Sequence, residues 1–354
     1  MNIYTLNGQI LTEDGKWLVE YDPYNPLRLP AYTMRVRLKD DNTLGYKGTW
    51  TLIDAVNHIY DVYYPNNDWS YVCWESNRSF SEHSLIEVLG ANTTGVTNMK
   101  GIFQDCRNMT TLALFDTSSV TDMSSFLYNC YSLTSVPLFD TSSNTTFNYA
   151  FYYTENLHSV PLFNTSNVTD MTYMFWRSGI TTIPLFDTSS VTDMGAMFAD
   201  CLSLDTIPLI DTSSVTNMAS MFSDSTIRSV PLLDTSSVTN ITRMFSYEYT
   251  NRARLEEIPS FNTSNITSLY GFADGCVTLK HVPLLNTSNV TNALYAFRGC
   301  VNVESGALAL YQQLSGQLTT QDTHYQTFYN CGSSTTAGAA ELAQIPSDWG
   351  GTGA

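Results

Sequence analysis

The sequence predicts a repeat solenoid of short parallel strands plus short helices in about nine coils, with a small N-terminal β-domain and a helical C-terminal cap. Three observations carry that expectation. A phrase of the form Asp/Asn-Thr-Ser-Ser/Asn begins at Asp116, Asp140, Asn164, Asp187, Asp211, Asp234, Asn262 and Asn286, after a looser copy at Asn92. The steps between these anchors are 24, 24, 24, 23, 24, 23, 28 and 24 residues. A period in the low twenties marks units too small to bury their own apolar faces, which must therefore stack. Apolar side chains also recur at fixed offsets from each anchor. Val96, Val120, Val168 and Val191 stand at offset 4, Met99, Met123, Met171 and Met194 at offset 7, and Phe103, Phe151, Phe175 and Phe198 at offset 11.

In chain order, residues 1–28 are expected to form an N-terminal docking segment and linker, with an ordered extra hairpin as the alternative. Residues 29–90 make a small β-rich capping domain, because Tyr32 to Leu38, Thr49 to Ile53 and His58 to Tyr64 are β-branched and aromatic runs separated by turn signals. Residues 91–305 hold the repeat. Each unit closes on Leu-x-x-Val/Ile-Pro-Leu, as at Leu133 to Leu138, whose alternating apolar residues predict a short parallel strand. Proline cannot donate to a ladder, so Pro137, Pro161 and Pro184 are expected at strand ends or bends. The Asp-Thr-Ser-Ser phrase is turn chemistry. The Met-x-x-Met-Phe stretch spaces apolar residues by three and four, which predicts one or two helical turns. Residues 306–354 form the C-terminal cap, with helices expected over Ala307 to Leu314 and Ala337 to Ile345.

Composition narrows function. With 33 acidic against 16 basic residues the net charge is −17, which argues against a nucleic-acid partner. No apolar stretch is long enough for membrane insertion by a helix. Met1 to Gly8 has neither a basic nor an apolar leader segment, so export by the general secretory route is not expected. Cys106, Cys130, Cys201, Cys276 and Cys300 share offset 14 with Thr154, Ser178 and Ser225. A disulfide or metal column is one reading; exchange with Ser and Thr favours a column of small buried side chains. Asp116 with Asp140, or Asp187 with Asp211, could hold Ca²⁺ between coils, but Asn at three of the eight anchors favours a turn role. The five histidines fall in no metal-ligand spacing, and no catalytic motif is present. No enzyme activity, cofactor or metal is expected.

The unit Leu-x-x-Val-Pro-Leu-Phe-Asp-Thr-Ser-Ser-Val-Thr-Asp-Met-x-x-Met-Phe-x-x-Cys resembles the BspA-like leucine-rich repeats of bacterial surface proteins, closest to their Asp-Thr-Ser-Asn-Val-Thr-Asp-Met variety. That resemblance implies a leucine-rich-repeat-like solenoid used in adhesion or recognition, with no shared active site. The flanks, at Tyr4 to Leu11, Leu29 to Arg37 and Asp68 to Ser70, and again at Ala309 to Gln313, Phe328 to Gly332 and Glu341 to Pro346, are similar to repeat proteins of gut Bacteroidales and their tailed phages. The expectation is a non-enzymatic phage virion fibre or appendage protein located in the virion. It would bind a host cell-surface glycan or protein, dock to other virion proteins through its N-terminal segment, and form a homo-oligomer, by resemblance a trimer. The alternative is a bacterial cell-surface adhesin. Ligand contacts are expected where the units refuse to repeat, at Tyr128, Tyr149, Tyr152, Tyr153, Tyr173, Trp176, Arg177, Tyr247, Tyr295 and Arg298 around offsets 9, 12 and 13. The 28-residue unit adds a loop, Tyr247 to Arg254, on one edge, and such insertions often mark a binding side.

Overall fold

The computed structural model describes residues 29, 31–39, 51–64, 66–70 and 85–353, and the backbone alone at 4–6, 9–11, 17–19 and 49–50. The docking role expected of residues 1–28 lies outside the described residues, apart from three short antiparallel strands there: β1 (Tyr4–Leu6), β2 (Gln9–Leu11) and β3 (Trp17–Val19).

The main sheet is mixed and five-stranded. Its strands are β4 (Thr33–Leu38), β5 (Thr49–Asp54), β6 (Ile59–Tyr63), β7 (Leu85–Asn92) and β8 (Thr111–Leu112), in the order β5-β6-β4-β7-β8. Alternation in β4 sends Met34, Val36 and Leu38 into the core, while Arg35 turns outward to Asp61 on β6 at 2.6 Å. β7 runs antiparallel to β4 and parallel to β8, so one strand belongs both to the sheet and to the first repeat unit.

The expected solenoid of nine leucine-rich-repeat-like coils, with short strands, short helices and a helical cap, is not what the structure shows. Regular structure among the described residues is chiefly the mixed sheet, and the only α-helices are α1 (Ala307–Leu314) and α2 (Thr336–Leu342). Between residues 113 and 305 the chain is built of turns and isolated bridges, with one short 3-10 helix at Thr250–Arg252.

Two features of the backbone explain the departure. At offset 9 every unit has positive φ, including Ser125 (54°), Tyr149 (55°), Tyr173 (55°), Ala196 (51°) and Arg243 (55°). Offset 13 does the same at Asp105, Asn129, Tyr153, Arg177, Asp200 and Asp224. A left-handed residue every four positions cannot belong to a right-handed helix. The hydrogen bonds divide accordingly. Ser125, Leu127 and Asn129 donate their N–H groups to the next unit, at Asn148, Ala150 and Tyr152, whereas Phe126, Tyr128 and Cys130 donate three residues back. An α-helix would keep all of these bonds within itself.

Proline explains the missing strands. In the first unit the Pro position is Ala113, whose N–H reaches Val88 O at 2.9 Å, and there β8 forms. Later units carry proline, lose that donor, and bend instead: Phe139, Phe163, Phe186, Ile210 and Leu233 each donate to the carbonyl of the proline two residues before.

The tail departs from a helical cap in another way. Gln326 and Asn330 repeat the two positive φ values four residues apart, Phe328 stacks on Phe297 at 6.4 Å, and Phe297 and Gly299 donate to Thr327 and Tyr329. A further turn-built unit therefore sits between α1 and α2.

One core cluster runs from Met34 to Trp349. Its spine is a column of buried phenylalanines, with Phe151, Phe175, Phe198, Phe222 and Phe245 stacked at 5.5 to 6.0 Å between successive centroids. Truncating one such ring to alanine costs about 3–5 kcal/mol.

Candidate ligand-contact face

The repeated phrase is occupied with its own turns. Asp116 Oδ1 accepts from the Ser118 amide and hydroxyl at 2.9 and 2.7 Å, and Asn164 does the same for Ser166 at 3.2 and 2.8 Å. The following Thr is buried and donates to the next unit, as Thr117 does to Asp140 O and Thr188 to Asp211 O. Asp122, Asp170 and Asp193 at offset 6 accept the amide two residues on, at 2.8 Å each. The described cysteines are buried, and Cys130 and Cys201 donate to the carbonyls of Phe103 and Phe175 in the preceding unit.

What remains for recognition is the ridge at offsets 9, 12 and 13. Left-handed φ at two of these offsets turns the backbone so that consecutive units lay the same side chains one above another. Tyr128 stacks on Tyr152 at 4.4 Å with the planes 2° apart, and Tyr152 stacks on Trp176 at 4.5 Å and 11°. A second column beside it places Tyr149 on Tyr173 at 4.7 Å and 5°. Tyr149 and Tyr152 touch at 5.4 Å, which joins the columns into one aromatic patch. All five rings are half-buried. Burial pushes the phenols of Tyr128, Tyr149 and Tyr152 above the usual tyrosine range, so these hydroxyls stay protonated.

Arg177 closes the patch. Its guanidinium lies 4.4 Å from the Tyr153 ring centre, 3.2 Å from Glu155 and 3.8 Å from Asp200. The Tyr247–Arg254 loop folds back to the same place. Arg252 pairs with Asp200 and lies 4.5 Å from the Tyr249 ring centre, and the Tyr249 amide donates to Asp224 at 3.0 Å. Burial pushes the Asp200 carboxyl up, opposed by Arg252 and Arg177.

Of the ten expected contacts, Tyr128, Tyr149, Tyr152, Tyr153, Tyr173, Trp176 and Arg177 come together in this patch. Tyr295 and Arg298 form a separate cluster near the tail, where Arg298 lies 4.4 Å from the Tyr295 ring centre and pairs with Asp274 at 2.6 Å. Tyr247 belongs to neither cluster: its side chain is 3% exposed and packs in the core.

Sequence reasoning passed over Tyr131, which meets Tyr153 edge-on at 5.0 Å, and Tyr270 and Tyr325, which flank Tyr295. Tyr131 and Tyr270 stand at offsets 15 and 8, outside 9, 12 and 13, and Tyr325 follows no anchor phrase. It also passed over a row of exposed leucines two residues before the anchors, among them Leu138, Leu162, Leu185 and Leu209.

Among known proteins, the family model described as Mycoplasma protein of unknown function, DUF285, matches residues 76–181 and 177–252, a span covering half of the 354 residues. No curated protein and no solved structure matches the chain.

Proposed function

This chain belongs to the DUF285 family, a surface-protein family related to the BspA-like repeat proteins, and on that footing we propose that it is a non-enzymatic recognition protein that binds a cell-surface ligand through its aromatic–arginine ridge. The single observation that carries the reading is the pair of stacked columns, Tyr128–Tyr152–Trp176 and Tyr149–Tyr173. Large amphipathic rings, fixed by stacking and edged by arginine, lose little conformational freedom when a ligand is ordered against them, the property of interface hot spots.

Binding of the purified chain to whole cells, followed by flow cytometry, tests this. Replacing Tyr149, Tyr152 and Trp176 together by Ser is expected to weaken attachment at least tenfold, with the circular dichroism spectrum retained. Undiminished attachment of that variant rules the ridge out.

The setting we favour is a bacterial cell-surface adhesin, supported by the family relation. A phage virion appendage is the second reading, on the resemblance of the flanking segments Ala309 to Gln313 and Glu341 to Pro346 to repeat proteins of gut Bacteroidales and their tailed phages. Surface proteolysis of intact cells removes an adhesin, whereas mass spectrometry of purified particles finds a virion component.

A further inference from the structure

The aromatic columns end at a step. Arg177 and Tyr173 donate their backbone N–H groups to Ala199 and Gly195, so in the next unit Ala199 lies abreast of Trp176 and Ala196 abreast of Tyr173. One unit further, the corresponding residues are Ser223 and Ser220. The faces of Trp176 and Tyr173 that look back are covered by Tyr152 and Tyr149. Ahead of them the next unit offers only the methyl groups of Ala199 and Ala196, themselves 4% and 3% exposed, and then the hydroxymethyl groups of Ser223 and Ser220, none long enough to stack as a ring does.

We propose that the forward faces of Trp176 and Tyr173, on which no further ring stacks, form a carbohydrate subsite that takes a neutral pyranose of a surface polysaccharide. The proposal rests on the recognition role given above and supplies its ligand class and its place.

A π face is electron-rich and attracts the weakly positive C–H groups that line one side of a pyranose. The hydroxyls at the sugar's rim then need polar partners that are already held in place. The step has them on both sides. On one side stands the Arg177–Asp200–Arg252 network, held by the folded-back loop. On the other, Asn217 Nδ2 donates to both carboxylate oxygens of Asp193 at 3.0 and 3.1 Å while its Oδ1 accepts from the Ala219 amide at 3.1 Å, which holds the Asp193 carboxylate in place for a sugar hydroxyl to donate to.

Charge selects the class of sugar. Arg177 faces Glu155 and Asp200, Arg252 shares Asp200, and Asp193 and Asp224 add negative charge nearby. A uronic or sialic acid would bring a carboxylate into surroundings where carboxylates already outnumber guanidiniums. An apolar anchor from a protein partner would find a polar-rimmed shelf rather than a socket.

The repeat itself supplies the decisive variant. Offset 12 holds Tyr at Tyr128 and Tyr152, so Ala199→Tyr extends a column the fold already tolerates and covers the forward face of Trp176. The full chain is applied to an array of mannan, glucan and galactan oligosaccharides beside uronate- and sialate-containing ones, and binding is measured by titration calorimetry. A neutral family should bind. Trp176→Ala and Ala199→Tyr should each weaken it at least tenfold with the circular dichroism spectrum retained, while Leu209→Ser stays within twofold of the parent chain.

Sugar binding indifferent to both variants overturns the site, and binding confined to acidic sugars overturns the ligand class. Attachment to cells that survives periodate but not protease treatment of those cells also overturns the carbohydrate class, while the recognition role stands. If the chain attaches to no cells and to no sugar, both readings fall.

Discussion

The Thr165 hydroxyl donates to the backbone carbonyl of Asp187 across 2.6 Å, from a side chain only 1% exposed. The same bond joins Thr141 to Asn164 and Thr212 to Asp234. Each anchor thus does two jobs: its side chain folds its own turn, and its carbonyl receives the unit before it. Thr165→Val keeps the shape, deletes the donor and leaves the Asp187 carbonyl without this bond. The expected loss is about 0.5–1.5 kcal/mol, measured by urea denaturation. An unchanged midpoint and slope would show that this bond contributes nothing.

The repeated backbone turn makes a sharper prediction, because it assigns opposite requirements to two alanines three residues apart. Ala196 sits at φ 51°, in the left-handed region, while Ala199 does not. Both are buried, so replacing either by Gly removes one methyl. At Ala196 that loss is offset by relief of the left-handed strain, about 1–2 kcal/mol. The backbone entropy that glycine adds to the unfolded chain, roughly 0.5–1 kcal/mol, is common to both variants and cancels in their comparison. Ala196→Gly should therefore be at least about 1 kcal/mol more stable than Ala199→Gly. Equal melting temperatures would refute the turn geometry.

That pair also shows what the sequence could and could not reveal. The period, the Phe column, the buried Cys column and the turn role of Asp-Thr-Ser-Ser follow from residue type and spacing alone. So do the strands at Thr33–Leu38 and Ile59–Tyr63 and the helix at Ala307–Leu314. The backbone at offset 9 was hidden, because Ser125, Tyr149, Ala196 and Arg243 all adopt the left-handed turn that glycine signals. Only Gly101 and Gly271 at that offset wrote it openly. With apolar residues spaced by three and four, the stretch imitates a helix while its alternate N–H groups cross to the next unit. The extra unit in the tail was marked by Phe328-x-x-Cys331, the spacing of Phe103 and Cys106, but it lacks the anchor phrase. At the ridge, composition pointed to the rings. Which rings stack depends on register, and Tyr247, at the start of the inserted loop, lies inside.

Acid should weaken the turns. The side chain and amide of Ser142 hold the Asp140 carboxyl below the usual carboxylate range, Ser236 does the same for Asp234, and the Ser213 amide and hydroxyl do so for Asp211. A folded pKa below the unfolded value of about 3.9 means that the folded state binds fewer protons. The stabilisation is therefore present above about pH 4 and is lost as the pH falls through the depressed folded values. Asn serves the same turn at Asn164 and Asn262 without titrating. The triple variant Asp140→Asn, Asp211→Asn, Asp234→Asn should show a shallower fall in melting temperature between pH 5 and pH 2 (about the span of carboxylate titration). Parallel curves for parent and variant would remove these carboxylates from the acid response.

The cysteine column yields the last test. Burial pushes the Cys201 and Cys276 thiols up to about 12, and Cys300 well above the ordinary thiol range. The thiolate is the reactive form, so both its scarcity and the closed packing protect these sulfurs. Alkylation at pH 8 should therefore require opening of the units. It should run at least about a thousandfold slower in the native chain than in urea, the factor for an opening energy of ~4 kcal/mol. Peptide mass spectrometry would assign each modified residue. Cys201→Ser should fold, because Ser225 at the same offset donates its hydroxyl to Phe222 O at 2.8 Å, the bond a serine at 201 would need. Rapid native labelling of Cys201 would mean that neighbouring units separate far more readily than their hydrogen bonds and stacked rings allow.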